Sequence, residues 1–324
     1  MMIRRVLAVA AIGILAVTAA HRVHAQDYPD KTVRIIVGFP AGSGTDIFAR
    51  MFADKLSTHF KGRFVVENMP GAASNNAALA ASRAQPDGST LFFATNANAI
   101  SVSLYKQLRY RFPEDFDAIT LVATAPQVLV VNPGLGFNSV KDLVAAAKQR
   151  PGEILAANAG VGGGSHLAAE MLNLMADVKI THVPYKATSE AMTDLIGGRV
   201  SMTFSILPVV SGFVADGRLK ALAVTSEKRL SSAPSIPTIA ETGVPGFEVI
   251  QWFGFMAPRG TPPQILKSLA GAIEAALKDD DVKQRIADNG GEPRSESHEQ
   301  FVRFIHNDIR QWAKAVEHAG LKIE

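Results

Sequence analysis

The chain has 324 residues, with 33 basic and 30 acidic side chains, 47% hydrophobic residues and no cysteine. Without cysteine there is no disulfide framework, no thiol nucleophile and no lipid-modified cysteine at an exported N-terminus. The net charge of +3 is no argument for nucleic acid, because Arg4, Arg5 and Arg22 lie in a leader that holds no acid and no basic block occurs elsewhere.

That leader reads as a signal peptide. Arg4 and Arg5 precede an apolar run from Val6 to Ala20, shorter than the roughly 20 residues that span a bilayer. Val23 and Ala25 sit at the small-residue positions of a signal-peptidase site, so cleavage is expected after Ala25, with export to the periplasm as a soluble protein.

Beyond the leader, strand-like and helix-like segments alternate, the pattern of an α/β protein with mostly parallel sheets flanked by helices. The expected strands, in chain order, are "TVRIIV", "RFVVE", "TLFFAT", "AITLVAT", "QVLVVN", "EILAAN", "VKITHV", "VSMTFS" and "LKALAVT". Helical stretches such as "NNAALAASRA", "SVKDLVAAAKQ", "SHLAAEMLNLMA" and "SEAMTDLIGG" lie between them, with turns at "MPGA", "QPDGST", "QRPGE" and "GVPGF". Two segments, Leu121 to Gly134 and Gly246 to Pro263, read as crossings between two lobes. They divide the exported chain into a discontinuous first lobe, 26–126 with 250–324, and a second lobe, 127–249. Two connections between α/β lobes make a hinge. After the second crossing the chain turns helical to its end, and the mixed charges of the last helix suit a solvated face.

Two glycine-rich bends each join a strand to a helix: "VGFPAGSGTD", Val37 to Asp46, and "AGVGGGSH", Ala159 to His166. The second nearly spells a dinucleotide fingerprint through Gly160, Gly162 and Ser165, but serine replaces the third small residue and "THVPYK" offers no ribose-binding acid. Ser165 lacks the closing glycine of a nucleophile elbow, although His166 adjoins it; this leaves a secreted hydrolase as the alternative from another class. Neither bend ends in the Lys-Ser/Thr of a phosphate loop, and the histidines do not cluster at metal-ligand spacing. No catalytic residue, metal or cofactor is therefore expected. What remains is two helix N-termini whose free backbone N–H groups and dipoles favour a small carboxylate.

At this level of detail the chain resembles the Bug-type periplasmic solute-binding proteins of tripartite tricarboxylate transporters. The likeness is carried by "YPDKTVRIIVGFPAGSGTDIFAR", "VVENMPGAASN", "QPDGSTLFF", "SVKDLVAAAKQRPGE", "GSHLAAE", "HVPYK", "LKALAVTSEKRL", "IPTIAETGVPGFE" and "WFGFMAPRGTPP", in this order along nearly the whole exported chain. The resemblance implies a two-lobed clamp of the type II-like periplasmic-binding-protein kind. Such a clamp delivers an organic mono-, di- or tricarboxylate to a membrane permease without turning it over; a monomer is expected, and a receptor that signals to a sensor kinase is a third reading of the same site.

Carried over by motif, the resemblance implies first-lobe contacts from Phe39, Gly42, Ser43, Thr45, Asp46, Asn75, Thr95 and Asn96, and second-lobe contacts from Gly163, Gly164, Ser165, His166, Tyr185 and Ser205. Asp46 and Ser165 equally suit helix caps, and Tyr185 equally suits packing on Pro184. Three positions depart from the family pattern: Met69 replaces a common arginine, Ser43 a common glycine and Ser205 a common aspartate. Without an acid at 205 a ligand ammonium loses a natural partner, which favours a non-amino carboxylate.

Overall fold

The computed structural model describes residues 28–158, 164–185, 188–318 and 320–322. The leader and Gly163 therefore lie outside the described residues. Among the described residues no helix is long and apolar enough to cross a membrane.

In chain order the first half runs β1 (Val33–Val37), α1 (Gly44–Phe60), β2 (Phe64–Asn68), α2 (Asn75–Ser82), β3 (Thr90–Thr95), α3 (Asn96–Leu104) and β4 (Phe116–Pro126). Strand β3 is buried at every position, and β1 at all but Arg34. This is why β3 reads without polar alternation and β1 is apolar apart from Arg34: helices cover both faces of the sheet. Helix α1 turns Phe48, Met51, Phe52 and Leu56 inward at helical spacing, and it ends at Lys61, whose φ of 49° is left-handed.

The middle of the chain runs β5 (Val128–Val131), α4 (Val140–Gln149), β6 (Leu155–Asn158), α5 (Gly164–Ala176), β7 (Thr181–Pro184), α6 (Thr188–Ile196), β8 (Met202–Ser205), α7 (Leu207–Ala215), β9 (Lys220–Val224) and α8 (Ile239–Thr242). The chain then returns through β10 (Ile250–Pro258), α9 (Pro263–Leu277), α10 (Asp280–Asp288), β11 (Glu292–Pro293) and α11 (His298–His318).

The strands form two sheets, a six-stranded one in the order β11-β4-β10-β3-β1-β2 and a five-stranded one in the order β7-β6-β8-β5-β9. Both are mixed, which corrects the expectation of mostly parallel sheets. Strand β1 pairs in parallel with β2 and β3, as β6 does with β7 and β8. Strand β10 runs antiparallel to β3 and β4, and β5 antiparallel to β8 and β9. The reason lies in the connections: a helical crossover returns the chain to the same end of its sheet, whereas β5 and β10 enter from the other sheet and need no crossover.

The passage between the sheets is short and bonded. Only Gln127 separates β4 from β5, and Ile250 at the start of β10 pairs with Pro126. Thr225 N donates to Gln127 O at 2.8 Å, and Val249 N donates to Thr225 O at 2.9 Å. Helix α11 packs on α3 and β4 and also touches α5. Its stripe of Phe301, Ile305, Trp312, Ala315 and Val316 belongs to one buried cluster with Trp252, Leu129, Leu167 and Phe204, so the core is continuous between the sheets on that side.

Candidate functional site

The first glycine bend is organised around its own carboxylate. Ser43, extended at φ −69° and ψ 158°, caps α1, its Oγ accepting from Asp46 N at 3.3 Å. Asp46 is thus not the cap; it is buried in the first turn. Its Oδ2 accepts from Gly42 N and from Arg50 Nε, both at 2.9 Å, and its Oδ1 accepts from Asn68 Nδ2 at 2.8 Å. Burial alone would raise its pKa, but the bonds from Arg50, Gly42 and Asn68 outweigh it and hold the carboxyl below its usual range. Asn68 Nδ2 also donates to Phe39 O at 3.0 Å, while the half-buried Phe39 ring packs on the first-lobe core. Thr45 is buried beside Asp46. Gly42, at φ +80°, has open space where a Cβ would stand.

Next to this bend, Ala72, Ala73 and Ser74 hold φ values of 47°, 51° and 75°, a left-handed run that non-glycine residues rarely adopt. The run presses Ser74 against Gly38, where a Cβ would stand 1.9 Å from Ser74 Oγ, and leads into α2 at Asn75. Asn75 is 8% exposed; its Oδ1 accepts from the Tyr110 hydroxyl at 2.6 Å, while its Nδ2, like Ser74 Oγ and Ser101 Oγ, has no hydrogen-bond partner among the described residues. Burial pushes the Tyr110 phenol up to about 12, so it stays a donor. Thr95 and Asn98 cap α3 reciprocally, and Asn96 is its buried first residue. Orphaned buried donors beside two helix N-termini suit an anion or ordered water.

Beside the five-stranded sheet, a cavity of about 250 Å³ is bounded by Gly164 and Ser165 of α5, Thr203 to Ile206 at the end of β8, Met192 of α6, and Gln127 and Gln251 where the chain passes between the sheets. Among the described residues that line it none is charged, and α5 has no acid in its first turn. A Cβ on Gly164 would stand 3.0 Å from Gln127 Nε2. Gly164, Ser165 and Ser205 are thus brought together. The first-lobe candidates do not line this cavity. A larger cavity, about 620 Å³ between Asp117, Arg259, Glu274 and His298, contains none of the candidates.

Tyr185 and His166 do not line the cleft cavity either. The Tyr185 hydroxyl donates to Asp194 Oδ2 at 2.8 Å, and Asp194 in turn accepts from Arg199 Nε at 2.7 Å. His166 is buried with its ring edge-on to that of His182, centroids 4.4 Å apart, and its Nε2 lies 3.8 Å from Glu170 Oε1. This corrects the expectation that the histidines do not cluster: α5 lays its first turn against the end of β7. The i, i+4 pair His166 and Glu170 was the legible half of that signal. Sequence reasoning also missed Gln127, Gln251, Thr203 and Tyr110, polar residues in apolar contexts that only their positions distinguish.

The family model described as tripartite tricarboxylate transporter family receptor matches residues 48–321. The protein BugT of Bordetella pertussis is 35% identical over 322 residues, covering 99% of each chain. Among solved structures, an R. palustris protein with adipate is 34% identical with a TM-score of 0.75, over 91% of this chain and all of its own length. MatC from Rhodopseudomonas palustris with bound malate is 29% identical with a TM-score of 0.72, over 89% of this chain and all of its own. Matched along this much of its length, the chain belongs to the Bug-type receptors of the tripartite tricarboxylate transporter family.

Proposed function

We propose that the protein is exported by cleavage after Ala25 and, as a periplasmic monomer without enzymatic turnover, captures a small non-amino dicarboxylate between its lobes for delivery to the transporter's membrane permease. The observation that carries this reading is the cavity at the crossing, uncharged among its described lining residues and bounded by the N-terminus of α5. A carboxylate there meets the positive end of the α5 dipole, with no acid in the helix's first turn. Its volume of about 250 Å³ is small beside the roughly 300–1,000 Å³ of drug-sized sites. Adipate and malate, found on the two relatives, are carboxylates of that scale.

The first-lobe bend plays a different part from that of a bare anion hole. Asp46 already takes the Gly42 amide, and Arg50 balances its charge, so the bend presents a neutral, rigid wall. The orphaned donors Ser74 Oγ and Asn75 Nδ2 then suit the second carboxylate. With the two sets on separate lobes, a ligand touching both favours the state in which 26–126 with 250–324 closes on 127–249 about Gln127 and Ile250. Small-angle scattering with and without adipate or malate tests this, the expected outcome being a smaller radius of gyration on saturation. Identical profiles at calorimetric saturation count against a clamp. Hydrolysis of a generic ester, lost in Ser165→Ala, overturns the receptor reading in favour of an enzyme. N-terminal sequencing of periplasmic material is expected to begin at Gln26.

A further inference from the structure

His166, Glu170 and His182 direct their ligand atoms to one point behind the first turn of α5, all within 4.8 Å of one another. His182 Nε2 lies 2.7 Å and His166 Nε2 3.8 Å from the same oxygen, Glu170 Oε1. Two imidazoles sharing one carboxylate oxygen exceed what a structural ion pair requires, since the Glu170–His182 contact alone ties α5 to β7. Side-chain exposures of 6% for His166, 12% for Glu170 and 18% for His182 leave an approach from the His182 side.

We propose that these three residues form a binding site for a divalent late first-row transition metal such as Zn²⁺. The donor set of two imidazole nitrogens and one carboxylate oxygen suits such an ion and not Mg²⁺ or Ca²⁺, which take oxygen ligands. Zinc bonds of about 2.0–2.2 Å in tetrahedral geometry place neighbouring donor atoms roughly 3.4 Å apart. The 2.7 Å and 3.8 Å separations straddle that spacing, so in these two contacts the ion requires side-chain adjustments of up to about 0.7 Å.

The surroundings supply a tautomer lock. Asn158 is buried at the end of β6, its Nδ2 donating to Ala156 O at 3.4 Å and lying 3.3 Å from His182 Nδ1, and its Oδ1 has no partner among the described residues. Rotating that amide by half a turn exchanges O for N, an exchange that heavy-atom positions barely distinguish. Oδ1 then accepts from His182 Nδ1–H, which frees the Nε2 lone pair for the metal, the usual outer-shell arrangement for a metal-bound histidine. The ion fixes the first turn of α5, whose Gly164 and Ser165 line the cleft cavity.

The test uses tag-free mature protein, stripped with a chelator and titrated with Zn²⁺ against a chromophoric competitor, with Ca²⁺ as the hard-cation control. One Zn²⁺ per chain and no Ca²⁺ is the expected result. Binding is lost in Glu170→Gln and His182→Gln, weakened by roughly 10- to 100-fold in Asn158→Ala, and unchanged in His306→Gln, an exposed histidine on α11. Melting of the metal-free variants identifies any that unfold. The visible absorption of Co²⁺ bound to the wild type decides the matter without variants, an intense four-coordinate spectrum supporting the site. Absence of Zn²⁺ binding, retention of it in folded Glu170→Gln and His182→Gln, or only the pale spectrum of hydrated Co²⁺ overturns the proposal. Adipate and malate binding by the stripped protein is measured in parallel, so failure of the metal site is distinguishable from failure of the receptor reading.

Discussion

Replacing Gly164 by valine isolates the cleft contribution of α5. A Cβ there already stands 3.0 Å from Gln127 Nε2, and the two further methyl groups of valine extend towards the cavity of about 250 Å³ or displace Gln127. The backbone itself is undemanding, because Gly164 opens a helix and is not among the positive-φ residues. The empty variant is therefore expected to melt close to the wild type. Adipate or malate, whichever binds, at about a hundred times its dissociation constant stabilises the wild type by about 2.7 kcal/mol. For a chain of this size that is a melting shift of about 5 °C. A hundredfold loss of affinity leaves RT ln 2, about 0.4 kcal/mol and a shift of about 1 °C at the same ligand concentration. Ser165→Ala removes one side-chain hydrogen bond, about 1 kcal/mol, and falls between the two. Thermal melts with calorimetric titration give the order. Wild-type affinity in Gly164→Val refutes the placement of the ligand at α5.

Two further outcomes follow from buried acids. Asp308 on α11 accepts from Trp252 Nε1 at 2.6 Å, and burial, with Glu248 adding to it, pushes its carboxyl up to about 7. The folded state then keeps a proton that the unfolded chain releases near pH 4, so stability falls as pH rises from about 4 to about 7, by up to about 4 kcal/mol. Urea midpoints across that window are expected to be flatter in Asp308→Asn, and an unchanged slope refutes the assignment. Asp46→Ala leaves Gly42 N without an acceptor and Asn68 Nδ2 with only Phe39 O, while the half-exposed Arg50 regains water, for an expected loss of about 1–3 kcal/mol. Urea unfolding measures that loss, and a variant as stable as the wild type shows that Asp46 does not organise the bend.

Much of the fold was legible because the physics is local. "TLFFAT" is buried throughout between helices and needs no polar alternation, so an apolar run between turns marks the strand. The glycine bends were legible because small residues and hydroxyls open helices, as Ser43 does for α1. The expected crossings fall on β4, β5 and β10, strands unbroken by a helix. Sequence could not give their antiparallel direction, which depends on the end from which a strand enters the sheet.

The site's inner arrangement was decided by chain closure. That Asp46 serves its own loop depends on β2 bringing Asn68 beside β1. That Gln127 and Gln251 share a cavity with Gly164 depends on two crossings meeting at one place. His166 and His182 look unrelated along the chain, and the packing of α5 against β7 makes them neighbours. Asp308 sits in a helix whose charges otherwise face water, and only the position of Trp252 on β10 makes it a buried acid. Periodicity encodes which face of an element is buried, whereas the partner met by a polar side chain on that face is set by residues far along the chain and exists only once the tertiary fold has closed.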